Sequence, residues 1–119
     1  MTTTTRAQIG TRGEDLAADY LRADGFTILD RNWRCRYGEI DIIAVRGDLL
    51  VFVEVKTRTG HGFGTPAEAV TYTKLRRLRR LAGIWLATRS GSWSAVRIDV
   101  IEVRLGRTVP EITHIHGVS

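Results

Sequence analysis

Two short acidic stretches hold the residues best suited to chemistry. Gly38-Glu39-Ile40-Asp41-Ile42-Ile43 and Val51-Phe52-Val53-Glu54-Val55-Lys56 are separated by a brief turn containing Arg46-Gly47-Asp48. Carboxylates set among valine and isoleucine are costly to desolvate unless something pairs with them or coordinates them, so their clustering calls for a chemical reason. A hard divalent cation held by Asp41 and Glu54 is such a reason. Lys56 sharpens it, because the chain carries sixteen arginines and only two lysines, Lys56 and Lys74. Lysine brings a compact charge with a tunable pKa, where arginine stays protonated.

Strand geometry decides whether these groups can meet. Alternation puts Glu39 and Asp41 on one face of their strand, and Glu54 and Lys56 on one face of theirs. A two-residue turn at Gly47-Asp48 sets Asp41 opposite Glu54 and Glu39 opposite Lys56, with all four projecting from one face. A turn at Arg46-Gly47 keeps those faces, while a symmetric odd-length loop separates Asp41 from Glu54 unless a bulge restores the match. Carboxylates opposed across a ladder repel, and magnesium or manganese would neutralise them. The competing reading is a wet hairpin face on which Glu39 and Lys56 form a surface ion pair worth about 0–1 kcal/mol.

The elements that must carry these strands alternate between helix and strand signals. Residues from about 10 to 24 read as a helix, with Ile9, Leu16, Ala17, Tyr20 and Leu21 broadly on one side and Gly25 as its stop. Phe26-Thr27-Ile28-Leu29 starts a strand, and residues 38–45 and 49–57 form the hairpin. Residues 58–64, with three glycines and His61, read as a flexible loop just after the acids. Thr65-Pro66 opens a helical segment, either one helix to about Thr88 or a short turn followed by a helix near Thr73. Leu75, Leu78, Ala82 and Trp85 recur at helical spacing, while residues 74–80 carry five cations in seven positions: Lys74, Arg76, Arg77, Arg79 and Arg80. One side packs; the other is either a solvated face or a phosphate-contacting surface near the acids. Val96-Arg97-Ile98-Asp99-Val100-Ile101-Glu102-Val103 alternates as a strand, and Glu111 to His116 adds an edge strand. The expectation is one α/β domain over residues 9–119 behind a flexible tail at 1–8.

Composition narrows the function classes. A chain of 119 residues can bury a core without disulfide or metal support. Cys35 is the only cysteine, which excludes an internal disulfide framework and a cysteine-based zinc cluster and fits a reducing cytoplasm. No apolar stretch follows the polar N-terminus, and no segment is long enough to span a bilayer. The net charge of +5 favours a polyanionic partner, although charge alone does not choose among DNA, RNA and an anionic membrane surface.

The order helix, three strands, helix, strand, with Gly38-Glu39-Ile40-Asp41 and Glu54-Val55-Lys56, resembles the restriction-endonuclease-like nuclease superfamily. That superfamily's signature is an aspartate followed at a distance by Asp or Glu, one residue, and Lys. More narrowly, the chain looks like the YraN family of small bacterial proteins, related in pattern to archaeal-type Holliday junction resolvases. Gly13-Glu14, Asn32-Trp33-Arg34, Val51 to Arg58, Phe63-Gly64, Lys74 and Arg97-Ile98-Asp99-Val100 carry the likeness across nearly the whole chain. Ile40 stands where many relatives have proline. The resemblance implies a restriction-endonuclease-like core with a mixed sheet and flanking helices. It implies a metal, Mg2+ or Mn2+, on Asp41 and Glu54, with the Val55 carbonyl as a further ligand and Glu14 completing the shell. Lys56 would orient water or stabilise charge on the phosphate, and Glu39 would position Lys56 or touch the metal. Arg58, Lys74, Arg76, Arg77 and Arg80 would contact nucleic acid.

The leading functional expectation is therefore a metal-dependent DNA endonuclease acting on branched or repair intermediates, with RNA left open, no membrane role and a twofold homodimer. The alternatives are a non-catalytic nucleic-acid-binding module and an interaction subunit of a DNA-processing complex. Other residues carry less weight. His114 and His116 share a strand face but lack a third metal ligand in the sequence. Trp33, Trp85 and Trp93 could stack on bases, yet Trp85 belongs to the packing face of its helix. Cys35 has no recognisable catalytic partner.

Overall fold

Thr5 sets the first element. Its hydroxyl accepts the Gln8 N–H at 3.1 Å while the Gln8 side chain accepts the Thr5 N–H at 2.8 Å, a reciprocal cap that satisfies two otherwise unpaired donors. Helix α1, Arg6–Ala23, follows and ends before Gly25, whose φ of 89° lets the chain reverse. The helix thus begins earlier than residue 10, and Arg6, Ala7 and Gln8, expected in a tail, form its first turn. The last threonine of the run supplies the cap. The computed structural model describes residues 5–59, 71–106 and 108–118.

Five strands form one mixed sheet in chain order: β1 (Thr27–Cys35), β2 (Gly38–Arg46), β3 (Leu49–Thr59), β4 (Ala95–Leu105) and β5 (Glu111–Ile115). Neighbours are antiparallel except β3 and β4, which are parallel and joined across α2 (Tyr72–Ala87). Parallel strands need such a crossover. Thr71 caps α2 by accepting the Lys74 N–H at 3.2 Å, so of the two starts anticipated for this helix the one near Thr73 is seen. The loop expected at 58–64 and the segment opened by Thr65-Pro66 lie largely outside the described residues, and β3 itself continues to Thr59.

Each face of the sheet is covered by one helix. Ala17, Ala18 and Leu21 of α1 pack on Ile42, Ala44, Val51, Val53, Ile101 and Val103. Leu81, Ala82 and Trp85 of α2 pack on Ile40, Ile43, Leu50 and Phe52, with Trp85 edge-on to Phe52 at 5.6 Å. Burial on both faces explains why Leu49 to Val53 is an unbroken apolar run. Truncating Phe52 to alanine would cost about 3–5 kcal/mol and open the α2 side. Among the described residues no helix is long and apolar enough to cross a membrane.

Candidate active site

The β2–β3 hairpin adopts the register of a two-residue Gly47-Asp48 turn, with Gly47 at φ 60° and Ile42 opposite Val53. At that pair the two strands part. The next β3 donor facing β2, the Val55 N–H, is taken by the Asp41 side chain, which accepts it through Oδ2 at 2.8 Å. Asp41 therefore stands in for a ladder carbonyl and ends the β2–β3 pairing. The pleat breaks at the same place: Ile40 packs with Ile43 on the α2 side, while Ile42 between them packs on the α1 side. Opposite the break, Asn32 of β1 takes φ 52°, the left-handed region that asparagine tolerates better than most residues. The simple picture of four charged side chains projecting together from one regular face is corrected accordingly. The register is the one expected, but Asp41 lies at a fork, and Glu39 turns to β1, where Arg34 donates to it at 2.9 Å.

At the fork burial works against ionisation of three carboxyls, those of Asp41, Glu54 and Glu14. Burial drives the Asp41 carboxyl up from 3.8 to about 7; the Val55 N–H pulls it down, and Glu54, Glu14 and Glu39 push it further up. Glu54 is also raised by burial, against the attraction of Lys74, Arg77 and Lys56. Glu14 is raised by burial against Arg31 and a hydrogen bond with the Asn32 side chain, and its Oε1 is buried with no hydrogen-bond partner. Such a group costs free energy unless something charged or polar meets it.

Helix α1 delivers Glu14 to this place through Gly13. A Cβ at Gly13 would overlap the Thr57 side chain, so the helix approaches β3 closely only because that position has none. A cleft of about 450 Å³ opens between them, lined by Arg6, Ile9, Gly10, Glu14, Asp41, Val55, Lys56, Thr57 and Thr59. Asp41, Glu14, Val55 and Lys56, singled out by the sequence, thus share one cavity. Glu54 lies beside Asp41, near enough to raise its pKa, and feels the basic flank of α2. The residues present offer hard oxygen donors, carboxyls that burial disfavours as free anions and one orphaned carboxylate oxygen, which fits a magnesium-type cation that keeps part of its water. Among the described residues, however, no three His, Cys, Asp or Glu side chains are gathered tightly enough to hold a metal by themselves.

The cationic residues divide. Lys74 is half-buried, and Arg76, Arg77 and Arg80 are exposed on α2. Arg58 donates from Nε to the buried Glu102 at 2.9 Å, and Arg104 reaches the other oxygen of Glu102 at 2.8 Å. Arg58 therefore has a structural duty in neutralising Glu102. His114 and His116 do lie together, ring centroids 4.0 Å apart, but His114 Nε2 is 2.7 Å from Asp99 and its Nδ1 is 3.1 Å from the Tyr20 hydroxyl. Trp85 is core, as its spacing indicated, and Trp33 and Trp93 pack against the same cluster. His61 lies outside the described residues. Asn32 and Arg31, which bear on Glu14, were not among the candidates. The left-handed asparagine leaves no signature beyond its residue type.

These features define an α/β protein with a carboxylate-rich fork between two strands and a basic helix beside it. Residues 13–103 match the family described as Uncharacterised protein family UPF0102. The chain is similar to a UPF0102 protein of Mycolicibacterium vanbaalenii, 63% identical over 118 residues covering 98% of each chain. It is also similar to one of Mycobacterium ulcerans, 60% identical over 122 residues and the full length of both, and to one of Mycobacterium bovis, 59% identical over 98% of this chain and 96% of the relative. The chain belongs to the UPF0102 family.

Proposed function

We propose that this protein is a divalent-metal-dependent endonuclease of the restriction-endonuclease-like superfamily, hydrolysing DNA phosphodiesters in branched or repair intermediates. The observation that carries the reading is the fork itself, where Asp41 and Glu14 share a cleft with Lys56, Glu54 lies beside Asp41, and burial raises all three carboxyls. Asp41 and Glu54 would hold Mg2+ or Mn2+, with the Val55 carbonyl, water and Glu14 as further oxygen donors. When bound, that cation would lower the pKa of water and offset charge on the phosphate. Lys56 reaches the same cleft, where its ammonium would stabilise negative charge on a phosphoryl oxygen. Lys74 and Arg77, which already attract Glu54, would draw the anionic strand to the fork. Cutting two strands symmetrically would call for two copies related by a twofold axis.

A second reading, a nucleic-acid-binding module without turnover or one serving a DNA-processing partner, is favoured by one observation. The described side chains do not by themselves close a metal shell. The test incubates purified protein with labelled four-way junction, flap, single-stranded and duplex DNA in magnesium, manganese or chelator, beside Asp41→Ala and Lys56→Ala. Metal-dependent cleavage lost in both variants supports the nuclease. Binding without cleavage by wild type in any metal supports the module and refutes the enzyme.

A further inference from the structure

The two-residue turn between β1 and β2 places Tyr37 at the surface, 41% exposed. The ring is held against α2. The Arg80 guanidinium lies 3.8 Å from its centroid and that of Arg36 5.1 Å. Next to it, a Cβ at Gly38 would touch the stem of Arg77, and Arg77 is one of the cations that attract Glu54. Tyr37, Arg80, Arg77 and Lys74 thus form a continuous path from the turn to the acid fork.

We propose that Tyr37, with the Arg80 guanidinium stacked on it, is a platform for an unpaired base of the DNA strand whose phosphates follow Lys74, Arg77 and Arg80. This rests on the nucleic-acid reading above and adds a substrate class to it. A tyrosine–guanidinium stack offers a π surface and a positive charge, the two features that sequence-tolerant single-strand binding uses. In an intact duplex each base face is already covered by its neighbours, so such a platform has a ligand only where a base is unstacked. The helix rises about 9 Å from Lys74 to Arg80. At roughly 3.4 Å per nucleotide along one strand, the platform sits two to three nucleotides from the fork. The strand entering the site would therefore be single there, which favours flaps, junction arms and frayed ends over continuous duplex.

The test uses the full chain, in chelator, with short single-stranded oligonucleotides carrying 2-aminopurine at successive positions and with a matched duplex. Wild type, Tyr37→Phe and Tyr37→Trp should quench the probe and prefer the single strand. Tyr37→Leu, which keeps apolar bulk without a π face, should lose the quench and bind about tenfold more weakly, while keeping its melting temperature and the salt dependence of binding. Salt-sensitive binding with no quench, or with no difference between Tyr37→Phe and Tyr37→Leu, overturns the platform and leaves the nuclease reading intact. Absence of binding to any DNA overturns the platform as well, and the cleavage test above decides the nuclease reading separately.

Discussion

Replacing Asp41 by asparagine should make the metal-free protein more stable at alkaline pH while abolishing cleavage. The sign follows from proton linkage. An aspartate ordinarily ionises near 3.8, whereas burial beside Glu54, Glu14 and Glu39 holds Asp41 protonated up to about 7. Between those values the unfolded chain has released a proton that the folded chain keeps, so stability falls as pH rises, and the loss levels off above about 7. Each tenfold change in proton affinity is worth about 1.4 kcal/mol, which sets an upper bound of about 4 kcal/mol. Asparagine keeps the acceptor for the Val55 N–H and offers its amide hydrogens to the neighbouring carboxylates. Allowing half of the bound for relaxation and water entry, Asp41→Asn should gain about 2 kcal/mol at pH 8.5, or roughly 8 °C in Tm for a chain of this length. Below about pH 3 the two proteins should melt together, because Asp41 is then protonated in both the folded and the unfolded wild type. Calorimetry in chelator across that range checks the curve, and added magnesium should raise the wild-type Tm and leave the variant unmoved. A Tm difference independent of pH, or a variant less stable than wild type at pH 8.5, refutes the description of the fork.

Further outcomes follow from neighbouring features. Gly13→Ala should destabilise by about 1–2 kcal/mol in chemical denaturation, since the added Cβ meets the Thr57 side chain, and Thr57→Ala should recover part of that loss in a double-mutant cycle. Asp99 is buried, which works to raise its pKa, but hydrogen bonds with His114, Arg97 and the Gly117 N–H, and the Arg97 charge, prevail and lower it to about 2. About 2 kcal/mol of stability, present above pH 4, should therefore be lost as pH falls from about 4 to 2, and Asp99→Asn should remove that part of the acid transition. Lys74→Ala, Arg77→Ala and Arg80→Ala should each weaken single-strand binding and reduce the slope of log K against log salt by about 0.7; slopes unchanged in all three would remove α2 from the interface.

Much of the architecture was legible because it rests on local patterns. The Gly47-Asp48 turn is one of the registers that the sequence left open, and the spacing of Leu75, Leu78, Ala82 and Trp85 announced the buried side of α2. Asp41, Glu54 and Lys56 stood out because charges interrupt apolar strands. What escaped depends on distant contacts. The close approach at Gly13 requires knowing that Thr57 lies across from it. The pleat break at Asp41 is set by a side chain competing with backbone for the Val55 N–H, which strand alternation cannot foresee. His114 offered itself as a metal ligand in sequence, but the structure gives it to Asp99, 15 residues away, in a network that fastens β5 and the Gly117 segment to β4.

The fork is also where the sheet can best bear an unfavourable charge cluster. Along the other edge of β3, pairing with β4 is unbroken from Leu49 opposite Ala95 to Thr59 opposite Leu105, so β3 keeps its course when β2 departs. The departure frees a backbone donor, which Asp41 takes, and opens the cleft into which Glu14 and Lys56 reach. Asparagine at 41 would serve the same hydrogen bond without the charge penalty. If folding alone shaped this position, the amide would be the better residue. In the metal-bound state proposed above, a cation would offset the burial and the repulsion that together raise the Asp41 pKa. Stability in chelator and stability in magnesium should therefore diverge most where Asp41 would otherwise be forced to ionise alone, above pH 7.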